Sequence, residues 1–396
     1  MLEKNLDKTC ALVLSGHVNG YSIVKELYEQ GVKNIALFSP GMSLAGFSNK
    51  VKYRAIIDKT SETLLLELKN LNQHYEHIVV YPTDDLQLVN LHALYDEVSS
   101  FCYLPFNRDT VMQASDKYFQ YKTCDRIGVP YPKSVNAKTV EDLDAIKLLG
   151  FPLLIKPSTR MDLTMGVFRS LYLNSFTEYE VEKIHLAALI TEGISFTVSE
   201  YIPGDDTNIY AYTCFRNEEG EILNEWTGKK LTQYPDNFGV FCSASNEAPS
   251  DISTQGRSLV AALDAYGIVQ PEFKYDCRDG KFKLMETNLR SMMWHRTGSS
   301  SGVKLHETQF KYATGQKITH YHQDKSRSVH FVLMLHEIPN LILRKGYWEH
   351  FKKNVWGAEK RVWAIFEWGD IKPFLYSFVL FSKIAAAACL RRFGLR

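Results

Sequence analysis

Pro271-Glu272-Phe273-Lys274-Tyr275-Asp276, followed after the turn Cys277-Arg278-Asp279-Gly280 by Lys281-Phe282-Lys283-Leu284-Met285-Glu286-Thr287-Asn288-Leu289-Arg290, decides how this chain is read. Polar and apolar residues alternate on both sides of a short glycine-ended turn, so a hairpin of two strands is expected. Pairing sets Glu272 beside Glu286, and Asn288 shares the face of Glu286 because strand side chains repeat every second residue. Two carboxylates and a side-chain carbonyl make a hard oxygen site. Such a site suits Mg²⁺, which takes one or two carboxylates and completes its shell with water and nucleotide phosphates. The competing reading is a surface hairpin with ordinary charged positions. Against it stands the placement of Glu286 and Asn288 on one face of a strand that also carries apolar residues.

Working upstream, Phe151-Pro152-Leu153-Leu154-Ile155-Lys156-Pro157 reads as an apolar strand with a lysine inside it. Burying an ammonium is costly unless it meets an anion, and a phosphate is such an anion. Lys117, in Ser115-Asp116-Lys117, sits just inside a helix start, where the helix N-terminus adds positive potential. Either lysine alone reads more readily as a solvated surface residue, but with the hairpin they point the same way.

The first hundred residues alternate strand and helix: Cys10 to Leu14, a helix from about Tyr21 to Glu29, Ile35 to Phe38, a helix from about Ser61 to Leu71, and Ile78 to Tyr81. That spacing implies βαβ units and a parallel sheet. Two loops leave strand ends with suggestive chemistry, Ser15-Gly16-His17-Val18-Asn19-Gly20 and Pro82-Thr83-Asp84-Asp85. They read either as an anion- and amine-binding pair or as a tight turn and a helix cap; the first is not a G-x-G-x-x-G dinucleotide motif. The pattern turns helical from about Val111 to Leu149, and further strands follow near Phe196 to Tyr201 and Ile209 to Phe215. The expected division is 1–112, then 113–325 with a lid at about 130–199 and a metal-binding part at 200–325, then a basic, aromatic extension at 326–396.

Across 396 residues, 46 Lys+Arg face 45 Asp+Glu, so the net charge of +1 gives no field that favours nucleic acid. With 45% hydrophobic and 23% charged residues the chain can bury a large core. Its seven cysteines are scattered and form no C-x-x-C pair, which excludes a zinc cluster or disulfide framework and favours a reducing, cytoplasmic compartment. The apolar run Phe374 to Leu390 is interrupted by Lys383 and short for a span. It reads either as a helix packed on the core or on a second copy in a homodimer, or as a peripheral contact with the inner membrane face.

Taken in order, Asp116-Lys117, the Phe151 to Pro157 strand, Ser199-Glu200-Tyr201-Ile202-Pro203-Gly204, and Glu272 with Glu286-Thr287-Asn288-Leu289-Arg290 resemble the motifs of the ATP-grasp superfamily over about residues 1 to 320. Each motif is short, and it is their succession that carries the likeness. The match is similar to the carboxylate-amine ligase branch, with D-alanine:D-alanine ligase, biotin carboxylase and D-aspartate ligase relatives. The resemblance implies an α/β ATP-grasp fold with an N-terminal parallel-sheet domain, a lid subdomain and a C-terminal helical extension. It implies ATP and one or two Mg²⁺ as cofactors, with Mn²⁺ as a substitute. By the same likeness Lys117 and Lys156 bind the ATP phosphates, Glu200 with the backbone of Tyr201 and Ile202 holds adenine, and Asp205 or Asn208 holds the ribose. Glu272, Glu286 and Asn288 ligate the metal, Arg290 faces the transferred phosphoryl group, and Lys229, with Lys230 beside it, is a further phosphate contact or a solvated lysine. The phosphate-covering loop of the superfamily is usually glycine-rich, whereas Ser158 to Arg169 offers only Gly166, so Ser158, Thr159, Arg160 or Arg169 side chains are expected to substitute.

The chemistry this implies is phosphorylation of a carboxylate by ATP, then attack of an amine on the acyl phosphate to form an amide, with no protein nucleophile. The substrates expected are a small carboxylate and an amine, in the narrowest form an amino acid added to a uronic acid on a nucleotide- or lipid-linked precursor of a surface polysaccharide. Trp294, His295 and Arg296, together with Arg290, stand as acceptor-binding or structural residues, and His17 and Asp84 either orient the other substrate from the N-terminal domain or are structural. Two other readings remain: a carboxylase-type enzyme that activates bicarbonate, and an ATP-binding regulatory module without turnover.

Overall fold

The computed structural model describes residues 3–158, 167–235 and 239–392. Its first unit is a five-stranded parallel sheet of β1 (Thr9–Leu14), β2 (Ile35–Ser39), β3 (Tyr53–Ile56), β4 (His77–Tyr81) and β5 (Cys102–Tyr103), in the order β3-β2-β1-β4-β5. Every residue of β1 is buried, as expected of a central parallel strand covered on both faces. Helices α1 (Val18–Glu29), α2 (Ser61–Asn72) and α3 (Asp85–Ala93) supply that cover. Thr60 caps α2 and Asp84 caps α3, the latter in a reciprocal box with Gln87.

Helix α4 (Lys117–Ile127) leads into a four-stranded antiparallel sheet of β6 (Ser134–Ala137), β7 (Leu153–Pro157), β8 (Leu171–Leu173) and β9 (Phe196–Glu200), ordered β6-β9-β7-β8 and backed by α5 (Phe176–Thr191). This unit has a core of its own, in which Leu153, Ile155, Tyr179, Leu186 and Phe196 meet. The largest sheet holds β10 (Ile209–Arg216), β11 (Ile222–Tyr234), β12 (Val240–Ser245), β13 (Gly267–Asp276), β14 (Lys281–Asn288), β15 (Val329–Val332) and β16 (Lys360–Trp363), in the order β14-β13-β10-β11-β12-β15-β16. Helix α6 (Ser250–Ala262) joins it to the first sheet: Leu259 and Val260 share a core with Tyr212, Phe273 and Leu284 of the large sheet and with Leu12 and Val80 of the first.

The large sheet therefore runs on past residue 325, where the sequence shows only a change in composition. β15 pairs antiparallel with β12, and β16 pairs parallel with β15. After α7 (Leu305–Ala313), the helices α8 (Met334–Leu343) and α9 (Trp348–Trp356) pack beside these strands through Glu337, which is buried and accepts hydrogen bonds from Thr232, Ser243, Tyr347 and Asn354. The chain ends in the long helix α10 (Ile371–Arg392). Just ahead of it Asp370 is buried and accepts from the Tyr21 hydroxyl, the Ser48 hydroxyl and the Asn49 amide, which fastens the C-terminal end to the N-terminal domain.

Lys25 makes a second such fastening: its ammonium, 1% exposed, donates to the Trp363 carbonyl at 3.3 Å and the Ala364 carbonyl at 2.9 Å. Burial, with the Arg296 guanidinium adding to it, drags the ammonium down from 10.5 to about 7. Between those two values the unfolded chain binds more protons than the folded one, so this group makes stability rise with pH there. The stability of the wild type relative to Lys25→Met should climb by up to about 1.4 kcal/mol per pH unit from neutrality towards pH 10. Unfolding curves of both proteins across that window give the slope; parallel curves would show that Lys25 is not held in this way.

Candidate functional site

The hairpin of β13 and β14 pairs Glu272 with Glu286 and Gln270 with Asn288. Glu272 is 6% exposed and Asn288 3%, so the donor face lies inside the molecule. Burial first, then the neighbouring Glu286 carboxylate, push the Glu272 carboxyl above its ordinary range, while Lys230 and Lys156 act the other way. The Asn288 amide reaches to 3.5 Å from Glu272 Oε1, and Gln270 donates to the same oxygen at 2.8 Å. A buried acid paired with a half-buried one, with a side-chain amide beside them, is a site that calls for a cation, and two carboxylates plus an amide carbonyl fit Mg²⁺ or Mn²⁺. Among the described residues no three His, Cys, Asp or Glu side chains come together as a metal cluster, so the set rests on the amide as its third member.

These carboxylates open into a cavity of about 400 Å³ lined by Lys117, Lys156, Arg169, Glu200, Tyr201, Ile202, Asp205, Asp206, Lys230, Lys274, Glu272, Glu286 and Arg344. Its walls come from all three sheets' neighbourhoods: the start of α4, the edge of β7 and β9, the hairpin, and the segment after α8. Asp116 caps α4 by accepting from the Phe119 amide at 2.7 Å, which leaves Lys117 as the first helical residue and sets it against Glu286. Six cations on one wall set, against the paired acids, suit a polyphosphate bound with a divalent metal. The volume lies in the range of small-molecule and cofactor pockets.

The structure brings together Lys117, Lys156, Tyr201, Ile202, Asp205, Glu272 and Glu286 on this cavity. Glu200 lines it too, but its carboxylate accepts from Lys283 at 3.2 Å, from Arg278 at 2.9 Å and from the Lys133 amide at 3.1 Å, and the Tyr201 amide donates to the Pro152 carbonyl. Asp205 accepts from the Thr207 amide and hydroxyl as a local cap, and Asn208 stands outside the lining.

The other expected positions make the following contacts. Lys229 turns to the far side of β11 and pairs with Glu247 at 2.8 Å; Lys230, its neighbour, enters the cavity because consecutive strand residues face opposite ways. Arg290 does not line the nucleotide cavity: it is 5% exposed and clamps Asp85 at 2.7 and 3.3 Å. Trp294 is fully buried against Trp226 and Phe241, His295 is 2% exposed and contacts Gln270 at 2.8 Å, and Arg296 pairs with Glu29 at 2.8 Å. Those three serve the core and the domain contacts. Asp84 likewise acts as a helix cap. Sequence reasoning missed Lys274 and Arg344, which line the cavity from β13 and from the C-terminal region. Thr159 to Gly166 of the expected phosphate-covering loop lie outside the described residues.

Two further hollows continue from the first. One of about 110 Å³ shares Lys117 and Glu286 with it and is also lined by Asp85, Gln120 and Asn288. The next, about 310 Å³, shares Asp85 and Leu86 with the second and is lined by Ser15, His17, Phe38, Ile57, Lys59, Thr60 and Asn90. The Asp85–Arg290 pair thus stands where the nucleotide side and the N-terminal domain meet.

Lys230→Met should raise the KM for MgATP at least about tenfold, since it removes a buried cation from a polyanion site. Lys229→Met, which breaks only a rim ion pair, should stay within about twofold. Initial rates at varied ATP for the two variants give the comparison.

A parallel N-terminal sheet, a small antiparallel sheet with its own core, and a large, mostly antiparallel sheet that presents acids and lysines to a cavity between it and the small sheet make up the ATP-grasp fold. The chain superposes on N5-carboxyaminoimidazole ribonucleotide synthetase in its ADP complex with a TM-score of 0.65 over 86% of each chain, at 14% identity. Biotin carboxylase from Campylobacter jejuni matches with a TM-score of 0.61 over 80% of this chain and 74% of that one, at 12% identity. In sequence the chain is 25% identical over 224 residues to D-aspartate ligase of Enterococcus faecium (strain Aus0004), covering 52% of this chain and 50% of that protein. The chain thus spans about half the length of that relative. No protein-family model matches it.

Proposed function

We propose that this protein is an ATP-dependent carboxylate-amine ligase that forms an amide through an acyl phosphate and releases ADP and phosphate. The observation that carries the reading is the pairing of Glu272 with Glu286 in one cavity with Lys117, Lys156 and Lys230, with further hollows continuing from it past Lys117 and Glu286. Glu272, Glu286 and Asn288 would hold Mg²⁺, which when bound there with ATP neutralises charge on the phosphates. Lys117 and Lys156 grip the phosphates from two different units, so closing those units over ATP aligns it with the adjoining chamber and excludes water. The Asp85–Arg290 pair borders the path that the carboxylate substrate would take. Positioning and charge neutralisation suffice, and no side chain need act as a nucleophile.

In its narrower form the proposal is that the amine is an amino acid and the acid a uronic acid of a nucleotide- or lipid-linked sugar. The similarity to a D-aspartate ligase supports the amino acid. The 310 Å³ chamber supports the sugar, since Lys59 offers a cationic contact for a carboxylate, His17, Thr60 and Asn90 offer hydrogen-bond partners for hydroxyls, and Phe38 and Ile57 an apolar wall. Purified protein with MgATP should release ADP only when one carboxylate and one amine are present together, across a matrix of amino acids, uronic acids and nucleotide-linked uronic acids. Release with bicarbonate alone, or ATP binding with no release for any pair, would overturn the ligase reading; release with a pair lacking any uronic acid would overturn only the narrower form.

A further inference from the structure

Helix α10 has two faces that differ in the opposite sense from a water-facing helix. Phe374, Leu380 and Phe381 turn inward and join the core with Leu335 of α8. On the other side Ile371, Leu375, Phe378 and Val379 recur at helical spacing and are 40, 58, 57 and 48% exposed, and Trp368, just ahead, is 87% exposed. A helix stripe that faces water ordinarily carries charged and polar side chains. Here the exposed charged residues of the described stretch are Lys372 and Lys383, and after Asp370 the sequence has five basic residues and no acidic one.

We propose that this face is a docking surface for an anionic lipid bilayer, on which α10 lies in the headgroup plane with the Ile371, Leu375, Phe378 and Val379 row turned into the acyl boundary and Trp368 at its edge. Apolar and aromatic residues flanked by lysines are the composition that holds a helix in that plane, where the lysines reach anionic headgroups. Because Phe374, Leu380 and Phe381 hold the other face of α10 on the core, the contact is with the membrane surface. Charge decides against a second copy of this chain as the occupant. A two-fold contact through α10 opposes each lysine to basic residues of the same stretch, with no acid on it to pair them. The placement is independent of the ligase reading, because the helix lies outside the linings of the three hollows.

Sedimentation of the full chain with extruded vesicles tests it. Wild type should pellet with phosphatidylcholine vesicles containing about one-third phosphatidylglycerol, weakly with phosphatidylcholine alone, and less as salt rises. Leu375→Glu combined with Phe378→Glu should lower the partition coefficient at least about tenfold, with ATP binding retained as the check on folding. Trp368 gives a readout that needs no charge in the helix: vesicles should shift the wild-type tryptophan emission to the blue, and Trp368→Phe should lose most of that shift. No binding by wild type, or equal binding by the double variant, overturns the proposal. So does a wild-type dimer that the double variant dissociates while neither form sediments, which would assign the face to a second copy.

Discussion

Glu286→Gln is expected to lower substrate-dependent ADP release from MgATP at least about 100-fold while the protein remains folded. Glu286 sits opposite Glu272 on the hairpin and lines both the nucleotide cavity and the hollow next to it. The glutamine keeps the size of the side chain and removes the charge, so the metal site loses one of its two carboxylates and the phosphates lose the cation those acids would hold. Folding should not suffer, because Glu286 and Glu272 repel: in the free protein the neighbouring charge, after burial itself, helps push the Glu272 carboxyl up. Removing one of two like charges relieves that repulsion. The thermal midpoint of the variant in the absence of metal should therefore equal or exceed that of the wild type. ADP release unchanged at saturating Mg²⁺ would remove Glu286 from the metal site, and with it the main support for the reaction proposed here.

Trp294→Ala should cost about 3–5 kcal/mol of stability. The indole is fully buried, meets Trp226 edge-on at 4.8 Å and stacks on Phe241 at 5.0 Å. Two glycines show how closely this cluster is packed: a Cβ at Gly228 would lie 2.8 Å from the Trp294 ring, and one at Gly298 would lie 2.6 Å from the Trp226 ring. Nothing nearby can collapse into the space that the indole leaves, because the surrounding strands are held by their own pairing. Denaturant unfolding should show the loss as a lower midpoint. A variant of unchanged stability with a raised KM for one substrate would instead place Trp294 in a binding site, the alternative that the sequence leaves open.

How much was legible in the sequence follows from where the information lies. The hairpin was readable because period-two alternation, a glycine-ended turn and an acid on each of two successive strands are all local, and pairing then sets Glu272 against Glu286 in only one register. The parallel N-terminal sheet was readable for the same reason, since β1 is apolar from Cys10 to Leu14 and is followed by a helical pattern. Strand β11, the longest of the large sheet, was not. It buries Asn224, Thr227, Lys230, Thr232 and Gln233, so hydrophobic periodicity is missing. Those polar groups are stable inside because distant residues satisfy them: Asn224 donates to Thr308 and the Thr319 carbonyl, Thr227 is bonded to Gln323, and Thr232 donates to Glu337. None of these partners is close in sequence.

By itself, then, the sequence determined the alternation of strands and helices in the N-terminal domain, the pairing of the two acids, and the two lysines set into a strand and at a helix start. These rest on backbone periodicity, turn chemistry and capping, which act over a few residues. Only the tertiary structure decided that Lys230 rather than Lys229 enters the cavity, that Arg290 is spent on Asp85, that Trp294 is core, and that the C-terminal region completes the large sheet and contributes Arg344. Each of these depends on which of two faces meets another part of the chain, often more than a hundred residues away. Burial and pairing of that kind are fixed by the closing of the whole core, and a local pattern carries no record of them.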